Sequence, residues 1–177
     1  MTSQGFLGKK GMMTKRKLIL GVLVAMVLWL AWTGIGVFGR SFEQQVLDAQ
    51  EKLIRAAERR DWEAVKAMLT EDYMDEAGHD RQTAVEDGRQ ALAHFFSLTI
   101  THEVTLVRAV KDVGMVHCRI NLEGKGAGLS EVVMSTVNGM KEPWVFHWHK
   151  KGRWPWDWKA VQIHHDELAA RVGSFER

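Results

Sequence analysis

The residues best suited to chemistry gather in two stretches. The first holds Tyr73, Asp75, Glu76 and His79. A carboxylate sheltered from water there would have its pKa raised and could accept a proton as a general base. The plainer reading of the same acids is a solvated turn after a helix, and their spacing does not separate the two. The second stretch is rich in histidine: His117, then His147 and His149 at i, i+2, then His164, His165 and Asp166. Two imidazoles on one strand face can begin a metal site, but a site needs three converging ligands and an outer shell to orient them. The pattern fits histidines on a half-wet sheet face, so no metal ligand, cofactor or catalytic set is assigned.

Tryptophan is the most unusual component. Trp144, Trp148, Trp154, Trp156 and Trp158 crowd the region near the C-terminus. At strand spacing Trp144, Phe146 and Trp148 share a face, and Trp154, Trp156 and Trp158 share another unless Pro155 introduces a bulge. Such aromatics build a core wall, line a pocket for a planar or sugar-like ligand, or cover a subunit contact. Tyr73, Asp75, Glu76, His79, His117, Trp148, Trp156 and Trp158 are the pocket candidates. Val161 and Ile163 fall on the opposite parity from the tryptophans, which would make both sheet faces apolar and suggests a homodimer through the sheet. Cys118 is the only cysteine. It rules out an intrachain disulfide, and at strand spacing between Val116 and Ile120 it fits a small core residue.

These side chains need elements to hold them. Ser41 with Gln44 opens a helix in capping-box fashion, and Phe42, Val46, Ala49, Leu53, Ala56 and Ala57 form its apolar stripe. Asp61 caps a second helix carrying Trp62, Val65, Met68 and Leu69. A third is expected from Thr83 to about Leu98. From Ile100 the period changes to two. Strands are expected over Ile100–Val110, from Val116 to Leu122, over Glu131–Val137, over Trp144–His149 and over Trp156–Ile163. Lys111-Asp112 supplies one turn and Asn138-Gly139 another, while Gly124, Gly126 and Gly128 mark a flexible loop. Three helices followed by an antiparallel meander make an α+β fold, and helices laid on a curved sheet leave a cone with a pocket inside.

Ahead of this domain lies Leu18–Phe38, 21 residues without an acid, base or amide. At ~1.5 Å per residue a helix of that length crosses a ~30 Å hydrocarbon core. It exceeds the ~7–15 residues of a signal-peptide core, and bulky residues occupy the place of a cleavage site. An uncleaved anchor in the lipid bilayer is the expectation. Residues 1–17 carry five lysines and arginines and no acid, whereas only Arg40 follows the run directly. That asymmetry keeps the N-terminus cytoplasmic and puts the rest outside. A start at Met12 or Met13 would leave Lys15, Arg16 and Lys17 to set the same orientation. From Ser41 onward 18 basic residues face 22 acidic ones, an acidic balance that argues against nucleic acid as partner. The expected organisation is a leader over 1–17, a transmembrane helix over 18–38, a folded domain over 41–168 and a tail over 169–177.

Two segments resemble the nuclear transport factor 2-like (NTF2-like) superfamily, which includes the SnoaL-like and cystatin-like cone folds. Leu53–Tyr73, LIRAAERRDWEAVKAMLTEDY, is similar to its opening: an apolar helix, a charged break, an aspartate and a second helix. Trp144–Ile163, WVFHWHKKGRWPWDWKAVQI, resembles its closing hairpin. The resemblance implies three helices packed on a curved antiparallel sheet, and it covers about Ser41–Leu168. Its members include isomerases and polyketide cyclases, pocket binders, and membrane-anchored parts of secretion or conjugation machinery. The steroid-isomerase branch uses a tyrosine and an aspartate at positions that fall on Leu53 and Ala77 here, so that dyad is absent, although Glu76 lies next door. The expectation is a non-catalytic module that binds a small ligand or an envelope protein. A pocket enzyme and a secretion-complex component are the alternatives.

Overall fold

Ser41 takes an extended backbone and its hydroxyl accepts the Gln44 amide, which starts helix α1, Phe42–Glu58. The structure, a computed structural model, describes residues 19–26, 29 and 39–167. The chain divides into two units at Arg40/Ser41. In the first, residues 19–26 are helical. Most of the run expected to span a membrane lies outside the described residues, as do the leader and the tail. Among the described residues no helix is long and apolar enough to cross a bilayer.

The second unit is α+β, with a four-stranded antiparallel sheet. After α1 come α2 (Trp62–Met68) and α3 (Arg81–Leu92), then β1 (Phe95–Val110), β2 (Val113–Gly126), α4 (Ser130–Asn138), β3 (Trp144–Lys150) and β4 (Trp158–His164). The strands lie in sheet order β1-β2-β3-β4, so each pairs with its chain neighbour. Asp61 caps α2 by accepting the Ala64 amide. The third helix starts earlier than the capping-box pattern predicts. Asp80, not Thr83, is its N-cap, and the Thr83 amide donates to the Asp80 carboxylate. That bond, foremost among the causes, holds the Asp80 pKa below its ordinary value. The helix ends at Leu92, and Phe95, expected within it, opens β1 instead.

The expected strand Glu131–Val137 is a helix. Its valines are β-branched, which favours strands in isolation, but Val133 and Val137 stand one helical turn apart and face inward together. The Asn138 side chain does the work of a strand against β2. Its Oδ1 accepts the Leu122 amide at 2.7 Å and its Nδ2 donates to the Leu122 carbonyl at 2.9 Å. No hairpin therefore forms at Asn138-Gly139, and the domain has four helices and four strands among the described residues. Gly124 and Gly126, expected in a loop, are paired in β2 with Leu98 and Phe95. A Cβ on Gly124 would lie 2.1 Å from the Ser97 carbonyl oxygen, so close backbone approach explains the glycine.

The core lies between α1 and the sheet. Val46, Ala49, Val116, Cys118, Phe146, Trp148, Trp158 and Ala160 are buried in it. Two glutamines are buried with them. The Trp148 indole Nε1 donates to Gln50 Oε1, and the Trp158 Nε1 donates to Gln45 Oε1, each at 3.2 Å. Gln45 Oε1 also accepts from Lys150 Nζ at 3.0 Å, and Gln50 Nε2 donates to Cys118 Sγ at 3.8 Å. Gly114 of β2 sits where α1 crosses, and a Cβ there would meet Val46 at 2.6 Å.

A bulge between His147 and Trp148 sets the parity of β4. Phe146 is opposite Ile163, but Trp148 is opposite Ala160, so one extra residue of β4 is taken up between them. Ile163 thereby joins Phe146 on the inner side. The parity argument for a second apolar sheet face does not hold at this residue.

Replacing Gln50 with leucine strands the Trp148 indole N–H in a dry core. A loss of about 1–3 kcal/mol is expected, with most of it recovered in the Gln50→Leu/Trp148→Phe double variant. Urea unfolding of the full chain measures both.

Candidate functional site

A cavity of about 530 Å³ opens within the domain beyond the tryptophan core. The second half of α1 forms one wall through Leu53, Ile54 and Ala57. Helices α2 and α3 contribute Trp62, Val65, Ala84, Val85 and Leu92, and α4 adds Val133 and Val137. The sheet supplies Ile120, Leu122, Trp144, Phe146 and Ile163. These side chains are apolar because the helices turn the same stripe toward the cavity that they turn toward the core.

The polar part of the lining comes from one segment, one strand end and Asp87 of α3. After α2 the chain runs beside β4: Leu69 bridges Ala160, and the Thr70 amide donates to the Ala160 carbonyl at 3.0 Å. This places Tyr73, Asp75, Glu76 and His79 in the cavity lining, opposite His164 and His165 at the end of β4. The 75–79 turn is closed on itself. The Asp75 amide donates to the His79 carbonyl, the His79 amide donates to Asp75 Oδ1 at 2.8 Å, and Gly78 supplies the φ of +79°. His79 Nδ1 then lies 3.4 Å from Asp75 and 3.1 Å from Asp87 of α3.

Of the other sequence candidates, none lines the cavity. Trp148 and Trp158 are in the core already described. His117 alternates with the buried Val116 and Cys118 on β2 and so faces the other side of the sheet. Trp156 is not in a strand, since β4 begins only at Trp158. It lies in the β3–β4 turn, stacked on Trp154 with ring centroids 5.4 Å apart, and both rings are about half exposed. Trp144, His164 and His165 line the cavity without having been singled out as pocket residues. Trp144 shares the inner face with Phe146, as their spacing on one strand implied.

His165 is 2 % exposed and fully bonded. Its Nδ1 accepts the Glu167 amide at 3.2 Å, so the proton is on Nε2, which donates to the Glu142 carbonyl at 2.8 Å. Trp144, tilted over this ring at 5.0 Å, has a buried Nε1 with no hydrogen-bond partner. His147 and His164 stack on each other at 5.5 Å. Burial, and then the neighbouring His164 and His117, push the His147 pKa below the ordinary histidine value. Among the described residues, Glu76, His164 and Asp166 form a group able to offer ligands to one cation.

Tyr73 is the only tyrosine of the chain and is 4 % exposed. Burial raises its pKa well above the ordinary value; Asp75 adds to the rise, and a hydrogen bond with the Ile163 main chain opposes it. Burial likewise pushes the Cys118 thiol up to about 12.

No family model matches the chain, and no curated protein does. Solved structures do. Bd1075 of Bdellovibrio bacteriovorus superimposes with a TM-score of 0.52 at 12% identity over 68% of this chain; the match spans only 40% of that protein. A conserved protein from Planctomyces limnophilus DSM 3776 gives 0.51 at 10% identity, over 70% of this chain and 93% of the other. An NTF2-like protein from Cytophaga hutchinsonii ATCC 33406 gives 0.46 at 16% identity, over 67% and 91%. At such identities the likeness concerns the fold alone.

Both raised pKa values carry the same sign for stability. The neutral Tyr73 and Cys118 contribute fully below their unfolded values, and the contribution is lost as the pH climbs through the folded ones. Phenolate absorbance, which reports Tyr73 alone, is therefore expected to stay silent at pH ~10, where a free tyrosine is half ionised. It should appear together with the loss of circular dichroism at higher pH.

Proposed function

We propose that the chain from Ser41 is an NTF2-like domain that binds a small, largely apolar molecule, held outside the cytoplasm by a membrane anchor at Leu18–Phe38. The observation that carries the binding part is the cavity: about 530 Å³, walled by aliphatic and aromatic side chains, with its polar groups confined to the 73–79 segment, Asp87 of α3 and the end of β4. Cavities of that volume and polarity suit small ligands, with the few polar groups fixing orientation. The order of elements and the Leu53–Tyr73 and Trp144–Ile163 segments support the family. Leu53 and Ala77, which stand where the steroid-isomerase branch has its tyrosine and aspartate, both line the cavity as apolar side chains. This favours holding a ligand over that branch's chemistry. The anchor rests on the uncharged 21-residue run and on the five positive charges before it.

The second reading is a pocket enzyme of the isomerase or cyclase type, favoured by one contact. His79 lies 3.1 Å from Asp87, an imidazole–carboxylate pair in the cavity lining that could pass a proton to or from an occupant.

Two measurements test the first reading. With 1-naphthol at a hundred times its Kd, the full chain in detergent should gain about 2.7 kcal/mol of stability. The Ala84→Phe variant, which fills the cavity, should gain none; an equal gain in both would place the ligand elsewhere. For the anchor, the full-length protein should stay with the membrane through an alkaline carbonate wash. Release into the wash would end that part of the reading.

A further inference from the structure

The geometry points to a divalent transition-metal site at the rim of the cavity, held by His164, Glu76 and Asp166. One ring nitrogen of His164 and one carboxylate oxygen from each acid lie within 4.8 Å of one another. Glu76 Oε1 is 3.9 Å from His164 Nδ1, and Asp166 Oδ1 is 3.8 Å from His164 Nε2. Both gaps are too long for a hydrogen bond. Two ligand atoms each ~2.1 Å from a shared ion stand at most ~4.2 Å apart, so Glu76 is already within the span of an ion on Nδ1, while Asp166, nearer the opposite ring nitrogen, must swing round to join it. His164 Nδ1 is also buried without any hydrogen-bond partner, a costly state for a ring nitrogen that a cation would relieve.

The three ligands come from two places in the chain that the fold brings together. The segment containing Glu76 is tied to β4 through Leu69 and Thr70, and His164 ends that strand with Asp166 two residues beyond. The imidazole is held from behind by the stacked His147 ring. The carboxylates are freer, since the Asp166 side chain is 77% exposed and that of Glu76 33%. They can swing the remaining distance while the histidine stays fixed. One nitrogen and two oxygens suit zinc, cobalt, manganese or ferrous iron better than calcium, which takes oxygen ligands. Three protein ligands leave coordination positions open. The metal site does not depend on the ligand-binding reading.

The test uses the full chain purified without a histidine tag, stripped with a chelator and titrated with cobalt(II), whose visible bands report ligand type. One equivalent is expected to bind. Glu76→Gln and Asp166→Asn should each weaken binding at least about tenfold, and His164→Ala should abolish it, while His149→Ala, an exposed histidine of β3, binds as the parent does. The two carboxylate variants keep their folds testable by circular dichroism even if His164→Ala does not. Absence of saturable binding, or binding indifferent to the Glu76→Gln/Asp166→Asn pair, overturns the site. Loss in His149→Ala would move the ion to the strand's histidine pair and overturn it equally. Naphthol binding that survives in Glu76→Gln, with cobalt lost, would show the cavity and the metal site to be separable; naphthol failing in the parent with cobalt bound would sink the cavity reading alone.

Discussion

Two indole N–H groups sit in the driest part of this domain, and each must find an acceptor. Trp148 and Trp158 are 0 % and 2 % exposed. Helix α1 answers both with glutamines five residues apart, Gln45 and Gln50. An indole bonded this way contributes its full apolar area to the core without an unsatisfied donor. The two bonds also fix the helix against the sheet, because a slide along its axis would break both. Gly114 permits the close crossing, since any larger residue would strike Val46.

The same arrangement explains where the cavity lies. The first half of α1 is pressed on the tryptophans through Gln45, Val46, Ala49 and Gln50. Its second half carries Leu53, Ile54 and Ala57, and these face the cavity. The bulk of the sheet's inner face is thus concentrated at one end of the helix. At the other end α2, α3 and α4 enclose a volume that their side chains do not fill. The polar lining follows from the segment after α2 being laced to β4, which sets Tyr73, Asp75, Glu76 and His79 across from His164 and His165.

Much of this was legible from residues alone, and the failures have physical causes. Ser41 and Asp61 cap as their side-chain oxygens require, and Lys111-Asp112 turns β1 into β2. The glutamines of α1 were not legible as core, because a buried amide is justified only by a partner about a hundred residues away in sequence. Glu131–Val137 was read as a strand because β-branched valines favour one; the tertiary setting, with Asn138 taking over the bonds of Leu122, decided otherwise. Trp154 and Trp156 alternate as a strand would, but Pro155 between them ends the pattern and leaves the two rings to stack on each other. Of the pocket, the Tyr73–His79 segment was visible as a cluster of reactive types. Its counterpart at His164 and His165 was visible as a histidine-rich stretch but not as part of the pocket, which depends on the segment after α2 being laced to β4.

The meander has a consequence for how the chain is made. Each strand finds its partner nearby in sequence, so the sheet can zip up progressively. Helix α1 cannot complete its side of the core that way. Its acceptors wait for indoles 98 and 113 positions downstream, the second of them on the final strand. During synthesis the first helix of the domain is therefore finished long before its two indole partners exist, and its buried glutamines stay unanswered until Trp148 and Trp158 have been added. Closing that long loop is the slow, entropy-laden act of assembly, and a polypeptide halted short of Trp158 would be left with its founding helix unclaimed.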